Sequence, residues 1–179
     1  MDIDFLALAV QLLISLFVFI ILLSAVSATV MAAPWVPTRR TDIKRAIKLT
    51  QIKPGQLVYE LGCGDGRVCI EFAKTGARVV GFENSIIPYI AAQIRVARSG
   101  LGKHITIKYK NFFKIDYSKP DVIYNYLSHS AMKKLEPKFQ NEMKPGSKMV
   151  SYVFPFPNVK PTVRDKPDEN TLSIYVYEK

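Results

Sequence analysis

The chain has 179 residues, of which 49% are hydrophobic, and its formal net charge is +10. This length suits one compact domain with an appendage and excludes an array of large domains. Its two histidines and two cysteines are not clustered, which argues against a metal site, and Cys63 and Cys69 are predicted to be reduced packing residues rather than a disulfide.

The first predicted element is a long apolar helix. Residues 5–33 contain no charged residue, and a helix of that length spans roughly 44 Å, more than the ~30 Å hydrocarbon core of a bilayer. A secretory signal peptide is the alternative, but Asp2 and Asp4 stand where a signal peptide carries basic residues, and the apolar run is too long. We therefore predict a transmembrane anchor over residues 1–33 and a separate folded domain over residues 34–179.

Charge is distributed asymmetrically about this anchor. All 25 basic residues and 13 of the 15 acidic residues lie after residue 38. The positive-inside rule then predicts a single-pass membrane protein whose C-terminal domain lies on the cytoplasmic side. Four basic residues directly after the span are predicted to contact anionic headgroups: Arg39, Arg40, Lys44 and Arg45.

A helix is predicted from a Thr41 cap to about Gln51. The strand that follows this helix leads into a glycine-rich turn. Residues 57–59 form a predicted buried strand, and the segment ELGCGDGR at 60–67 leads from it into a helix. Glycines in such a turn allow positive φ and let a ligand approach the backbone, while the helix N-terminus offers free amides.

The spacing of these glycines limits which ligand the turn can hold. Gly62, Gly64 and Gly66 form G-x-G-x-G, with Arg67 in place of the third glycine of a dinucleotide fingerprint, and no Walker G-K-[ST] follows. With Glu60 before it, the turn resembles the first motif of class I S-adenosylmethionine-dependent methyltransferases. A glycine turn without a ligand is the alternative.

A second motif follows at the distance that nucleoside binding requires. Residues 78–83 form a predicted strand that ends in Glu83, about 20 residues after the glycine turn, where an acidic side chain can accept hydrogen bonds from ribose hydroxyls. Two motifs in this register strengthen the resemblance, which implies S-adenosyl-L-methionine as the cofactor.

The remaining pattern alternates strands with helices. It predicts helices over 85–99 and 130–143, strands over 104–108, 122–127 and 149–154, and, after a proline-containing polar stretch, a last alternating strand at 172–177. This order predicts an α/β fold with a doubly wound, mainly parallel, Rossmann-like sheet and a C-terminal antiparallel edge strand.

Several segments narrow the resemblance to one group of seven-strand protein lysine methyltransferases. They are PWVPT at 34–38, NFFKID at 111–116, PDVIYNYL at 120–127 and the stretch from 135 to 156. That group includes archaeal broad-specificity enzymes and mitochondrial enzymes that modify the c subunit of ATP synthase and the adenine nucleotide translocase. The similarity covers residues 34–179.

The resemblance implies a role for each matching residue. Glu60, Gly62, Gly64 and Gly66 wrap the methionine moiety, Glu83 holds the ribose, Asn111 and Phe112 face the adenine, Pro37 and Thr38 fold over the cofactor near its methyl group, and Tyr126 lines the acceptor channel. Ordinary core packing is the alternative interpretation of Phe112 and Tyr126. No side chain is an evident general base, although Tyr126 and Glu60 are candidates.

The predicted function is methyl transfer to lysine side chains of a membrane protein. A phospholipid or small-molecule N-methyltransferase is one alternative, and a non-catalytic membrane-tethered interaction domain is another. Nucleic acid is a further conceivable partner because residues 103–114 mix basic and aromatic residues. Since those aromatics alternate as in a strand and then enter a loop, we disfavour nucleic-acid binding.

Overall fold

A computed structural model describes residues 3–31 and 36–179. Residues 34 and 35 of the PWVPT segment therefore lie outside the described residues. Helix α1 (Ile3–Met31) contains the stretch Asp4–Leu23, which by length and composition could cross a membrane, and none of this stretch is buried inside the protein.

The other elements form a seven-stranded sheet flanked by helices. In chain order they are α2 (Arg40–Thr50), β1 (Leu57–Leu61), α3 (Arg67–Ala73), β2 (Arg78–Glu83), α4 (Ile86–Arg98), β3 (Ile105–Tyr109), β4 (Val122–Asn125), α5 (His129–Glu142), β5 (Lys148–Tyr152), β6 (Val163–Asp165) and β7 (Ile174–Glu178). The strand order is β3-β2-β1-β4-β5-β7-β6. The first five strands pair in parallel, whereas β7 runs antiparallel to both β5 and β6.

This topology confirms the predicted doubly wound sheet with an antiparallel C-terminal strand. The prediction that this strand lies at the edge is wrong, because the unpredicted strand β6 pairs outside β7 and forms the edge itself. Two of its three residues are exposed, so no buried alternation marks it in the sequence. Its strand conformation depends on pairing with β7, for example between Arg164 and Tyr175.

Two helix starts differ in detail from the prediction. Helix α2 begins at Arg40 after an Arg39 cap position, so Thr41 lies inside the helix and does not cap it. Helix α4 begins at Ile86, so Ser85, the first residue of the helix predicted over 85–99, stands at the N-cap position, where its side chain makes no cap hydrogen bond. The Ser128 side chain caps α5 by accepting a hydrogen bond from the Ala131 amide.

The core lies on both faces of the sheet. Helices α2, α3 and α4 cover one face with residues such as Ile43, Phe72 and Val96, while α5 covers the other with Met132 and Leu135. Both faces of the central strands are therefore buried, as expected for a parallel sheet.

Gly81 in β2 makes room for the two cysteines. A Cβ at this position would lie 2.7 Å from the Cys69 Sγ and 2.9 Å from the Cys63 Sγ. Both cysteines are free and buried, which confirms their prediction as reduced packing residues.

Candidate active site

The glycine turn is held against the end of β2. The amides of Gly62 and Cys63 donate to the Phe82 carbonyl at 2.9 and 3.0 Å. Gly62, Gly64 and Gly66 all have positive φ, of 72°, 56° and 75°. Residues with a Cβ rarely adopt this conformation, so the backbone path itself requires glycine.

Glu83 organises this turn from the neighbouring strand end. Its Oε2 accepts a hydrogen bond from the Gly64 amide at 2.9 Å, and its Oε1 accepts from the amides of Asn84 and Ser85, each at 2.8 Å. Burial raises the pKa of the Glu83 carboxyl, although these amide donors oppose the shift. Because a carboxylate offers about four acceptor positions, three amide bonds leave capacity for a ribose hydroxyl.

Glu60 lies buried in β1 on the side of α3. It accepts a hydrogen bond from the Cys69 Sγ at 2.8 Å. Removal from water raises the pKa of Glu60 to about 8. A cationic ligand group nearby would stabilise the ionised form of Glu60. This response to positive charge is expected of a carboxyl group that adjoins a sulfonium or an ammonium group.

Asp65, the acidic residue inside the turn, is bound by arginines. Its Oδ2 lies 2.7 Å from the Arg67 Nη2 and 2.8 Å from the Arg95 Nη2. Burial alone would raise the pKa of Asp65, but the hydrogen bonds from Arg67 and the two positive charges outweigh it and lower that pKa. Asp65 thus anchors the turn to α3 and α4.

Asn111 and Phe112 stand on the other side of the turn. The Asn111 Oδ1 accepts from the Phe113 amide at 2.9 Å and caps a short 3₁₀ helix, Phe112–Lys114. Phe112 is buried, and its Cε1 lies 4.0 Å from where a Cβ of Gly62 would be. The structure thus brings Phe112 beside the glycine turn, as both the adenine role and the core-packing interpretation require.

A tyrosine cluster lies at the ends of β4 and β5. Tyr126 contacts Tyr152 edge to face, with ring centroids 4.8 Å apart, and the Tyr152 hydroxyl donates to Asp42 at 2.6 Å. The Tyr124 hydroxyl is buried beside Thr38 without a hydrogen bond of good geometry. Pro37 is exposed in the segment before α2, whereas Thr38 is buried.

Sequence reasoning missed two members of this cluster. Tyr124 lies within the PDVIYNYL segment, two residues before Tyr126, but was assigned no role, and Asp42 belongs to no motif. Arg45, predicted to contact headgroups, instead pairs with Asp42 at 2.8 Å and with Asp165 at 2.5 Å. This network ties α2 to β5 and β6.

Val153, the residue after β5, has a strained backbone. Its φ is +75°, an outlier for a β-branched residue, and its amide donates to the Ser173 carbonyl at 2.9 Å. Strain of this kind is frequent at functional sites, and here it lies directly after Tyr152.

These residues fit S-adenosylmethionine. A glycine turn with positive φ, two buried carboxylates at neighbouring strand ends and one unpaired buried hydroxyl suit a ligand that carries a cation, an amine and a ribose. The fold and site together define the class of seven-strand S-adenosylmethionine-dependent methyltransferases.

The comparison with known proteins identifies the family. Residues 60–163 match the ANTKMT methyltransferase domain, and the chain belongs to this family. The chain is 30% identical over 146 residues to a protein-lysine N-methyltransferase of Saccharolobus islandicus (strain REY15A), covering 80% of this chain and 91% of that protein. It is also 30% identical over 130 residues to the Xenopus laevis lysine N-methyltransferase that is named for the c subunit of ATP synthase, covering 72% of this chain and 56% of that protein, so it spans just over half of the latter.

A solved structure agrees with the methyltransferase class and with the cofactor. An RNA methyltransferase from Salinibacter ruber in complex with S-adenosyl-L-homocysteine is similar at a TM-score of 0.76 and 28% identity, covering 80% of this chain and 93% of that chain. The predicted class, cofactor and resemblance to lysine methyltransferases are confirmed.

Proposed function

We propose that this methyltransferase modifies the Nζ atom of lysine side chains in a membrane protein. The relatives from Saccharolobus islandicus and Xenopus laevis, both named as lysine methyltransferases, support the acceptor. The observation that carries the proposal is the tyrosine cluster at the ends of β4 and β5, because aromatic walls suit the aliphatic stem of a lysine. In this proposal Tyr126 lines the acceptor channel.

The cofactor would be held by residues around the ends of β1, β2 and β3. We assign the methionine moiety to Glu60, Gly62, Gly64 and Gly66, the ribose to Glu83, the adenine to Asn111 and Phe112, and the cover near the methyl group to Pro37 and Thr38. The proximity of Glu83 and Phe112 to the glycine turn supports this assignment.

Methyl transfer to a neutral amine needs alignment more than acid–base chemistry. The cofactor supplies a methyl group bound to a positively charged sulfur. The chain's own residues hold the acceptor in line, which can contribute roughly 7–11 kcal/mol of the barrier. Burial raises the pKa of the Tyr124 and Tyr152 hydroxyls, so neither ionises to serve as a base near neutral pH.

The acceptor lysine therefore loses its proton by another route. A free lysine has a pKa of about 10.4, and entry into a channel that excludes water lowers this pKa because desolvation disfavours the charged form. The proton leaves to water before or during entry. The neutral Tyr124 hydroxyl lies beside Thr38 but makes no hydrogen bond of good geometry among the described residues, and it is then available to hydrogen-bond the amine.

The acceptor class is tested with S-adenosylmethionine labelled in its methyl group. The full chain is incubated with membranes, total RNA and lipid vesicles in parallel, and the label is traced to protein, RNA or lipid fractions. We expect methyl-lysine in hydrolysed membrane protein. Label in RNA would favour a second candidate function, RNA methylation, which the similarity to the Salinibacter ruber RNA methyltransferase motivates. Label in lipid would identify a phospholipid N-methyltransferase.

The membrane topology is part of the same proposal. We infer that residues 1–33 anchor the chain once in the bilayer and that residues 34–179 form the catalytic domain on the cytoplasmic side. The apolar stretch without charged residues at 5–33 and the basic residues after it support this arrangement. Protease added to sealed, right-side-out vesicles should leave the catalytic domain intact. If the protease digests this domain before the vesicles are opened, the proposed orientation is wrong.

A further inference from the structure

A basic groove lies outside the candidate active site, between α2, α3 and α4. Its volume is about 600 Å³. Five of the side chains that line it are cationic and one is acidic, namely Arg40, Arg67, Lys74, Arg95, Arg98 and Glu71. None of them belongs to the proposed cofactor site, so this concentration of positive charge requires another explanation.

Internal ion pairs use only part of that charge. Arg67 and Arg95 share Asp65, and Lys74 lies 2.6 Å from Glu71. Across residues 3–31 and 36–179, no ion pair or side-chain hydrogen bond engages Arg40 or Arg98. The groove therefore offers two uncommitted guanidinium groups, which bind phosphate oxygens through paired hydrogen bonds.

An apolar ridge borders this groove. Ile87, Ile90 and Ile94 on α4 are 55%, 48% and 47% exposed. Their spacing of three and four residues places them on one face of the helix, and Ile94 also lines the groove. Large aliphatic side chains aligned beside cationic groups are typical of helices that lie in a membrane interface.

Helix α1 contacts α4, so α4 lies beside the helix proposed to enter the bilayer. We propose that this α4 surface, formed by Ile87, Ile90, Ile94, Arg40 and Arg98, docks on a bilayer of anionic phospholipids. The isoleucines enter the interface and the two arginines bind lipid phosphates. The proposal rests on the proposed membrane attachment but not on the identity of the acceptor.

The composition of the ridge favours a bilayer over nucleic acid. Nucleic acid also presents phosphates, but single-stranded binding surfaces combine basic residues with aromatic side chains on which bases stack. The exposed ridge residues of α4 are aliphatic and cannot stack. A bilayer, in contrast, accepts aliphatic side chains and phosphate ligands on the same surface.

Site-directed spin labelling of the full chain tests the proposal. Cys63 and Cys69 are buried, so a label introduced at Ile90→Cys reports on the ridge, and one at the exposed position Asn141→Cys on α5 serves as the control. The proteins are reconstituted in nanodiscs of phosphatidylcholine alone or mixed equally with phosphatidylglycerol. We expect the Ile90 label to become several-fold less accessible to a water-soluble nickel chelate in the anionic discs, while the Asn141 label remains accessible.

Charge reversal tests the role of the groove. In the Ile90→Cys background, Arg40→Glu with Arg98→Glu should abolish the protection in anionic discs. Lys160→Glu with Lys166→Glu, which makes the same charge change beside the opposite edge strand, should leave it intact. If the Ile90 label is protected equally in both kinds of disc and in the Arg40→Glu, Arg98→Glu variant, the ridge packs against α1 and the proposal is wrong. The proposal is also wrong if this variant loses binding to RNA while the protection of the label by lipid does not change.

A label at Leu13→Cys separates this proposal from the membrane anchor. If the Leu13 label lies in the bilayer while the Ile90 label stays exposed to water in anionic discs, the proposed docking of α4 is wrong but the proposed membrane anchor is supported. If both labels stay exposed to water, the anchor is wrong as well.

Discussion

At the scale of single residues, the candidate site depends on buried acidic groups whose partners differ. Glu83 is satisfied by three backbone amides, Asp65 by two arginines, and Glu60 by one cysteine thiol. These partners explain the directions of the three pKa shifts, because arginine lowers the pKa of Asp65 whereas burial dominates at Glu60 and Glu83. The two carboxyls with raised pKa are the ones proposed to adjoin the cofactor.

Replacing Glu83 by alanine should weaken both cofactor binding and folding. The change removes the proposed ribose acceptor and leaves the amides of Gly64, Asn84 and Ser85 without their acceptor, which costs on the order of 1–3 kcal/mol in each respect. Calorimetry with S-adenosylhomocysteine and urea denaturation measure the two effects. Glu83→Gln, which keeps one acceptor oxygen, should lose less of each. Unchanged affinity in Glu83→Ala would mean that this carboxylate does not hold the cofactor.

Glu60 should make the stability of the cofactor-free protein depend on pH. Its pKa is about 8 in the folded protein, against an ordinary value of 4.5. The folded state therefore binds the proton more tightly, so this contribution to stability is complete below about pH 4.5 and is lost as pH rises towards 8, on the order of 1.4 kcal/mol per pKa unit.

Urea denaturation of the wild type and Glu60→Gln between about pH 5 and 8 isolates this contribution, since other groups titrate in both proteins. The free energy of unfolding should fall with rising pH more steeply in the wild type. Parallel curves for the two proteins would show that Glu60 ionises normally.

At the scale of elements, β2 packs closely against Cys63 of the glycine turn and Cys69 of α3. This packing holds the glycine turn and α3 against the sheet. Gly81 allows Cys63 and Cys69 to approach β2, and the Cys69 thiol in turn donates to Glu60. The glycine turn adds its own bonds to the Phe82 carbonyl. The proposed cofactor region is therefore built on the carboxyl ends of paired strands rather than on a free loop.

Adding one methyl group at this contact should be costly. Gly81→Ala places a Cβ within 3 Å of both cysteine sulfurs and of the Ile107 Cδ1, and such overpacking costs typically about 1–3 kcal/mol. The matched control is Gly102→Ala, because a Cβ there meets nothing within 4 Å. Thermal unfolding should show a lower midpoint for the first variant and little change for the second. Equal midpoints would indicate that β2 can shift without strain.

At the scale of the whole molecule, a basic catalytic domain follows an apolar helix after a short connection. Helix α1 ends at Met31 and α2 begins at Arg40. If α1 spans the bilayer, this connection keeps the active site near the membrane surface. Tethering of this kind raises the effective concentration of acceptors in the same membrane, often to about millimolar, without new contacts.

Deletion of residues 1–33 should therefore separate catalysis from access to the membrane. We expect the truncated protein to methylate soluble lysine peptides at a rate near that of the full chain, because the proposed site lies after residue 33. Modification of membrane-embedded acceptors should fall by about 100-fold or more, because linked sites provide avidity gains on the order of 10²–10⁴. Equal modification of membrane acceptors by both proteins would refute the tethering role.

Local patterns determined much of this protein from the sequence alone. The strand at 78–83, the glycine turn and the buried cysteines followed from periodicity and turn chemistry, which act over a few neighbouring residues. For the same reason the parallel sheet was predictable, because strands that alternate with helices leave few other arrangements.

Only the tertiary structure decided which distant side chains meet. Tyr152 binds Asp42 across 110 residues and Arg45 binds Asp165 across 120, so a basic residue predicted to face lipid became an internal ion pair. Strand β6 forms because β7 offers it a backbone partner, not because its own residues favour a strand. The groove beside α4 likewise arises from three helices whose charges are separated in sequence, since a surface of this kind exists only after the sheet has placed those helices side by side.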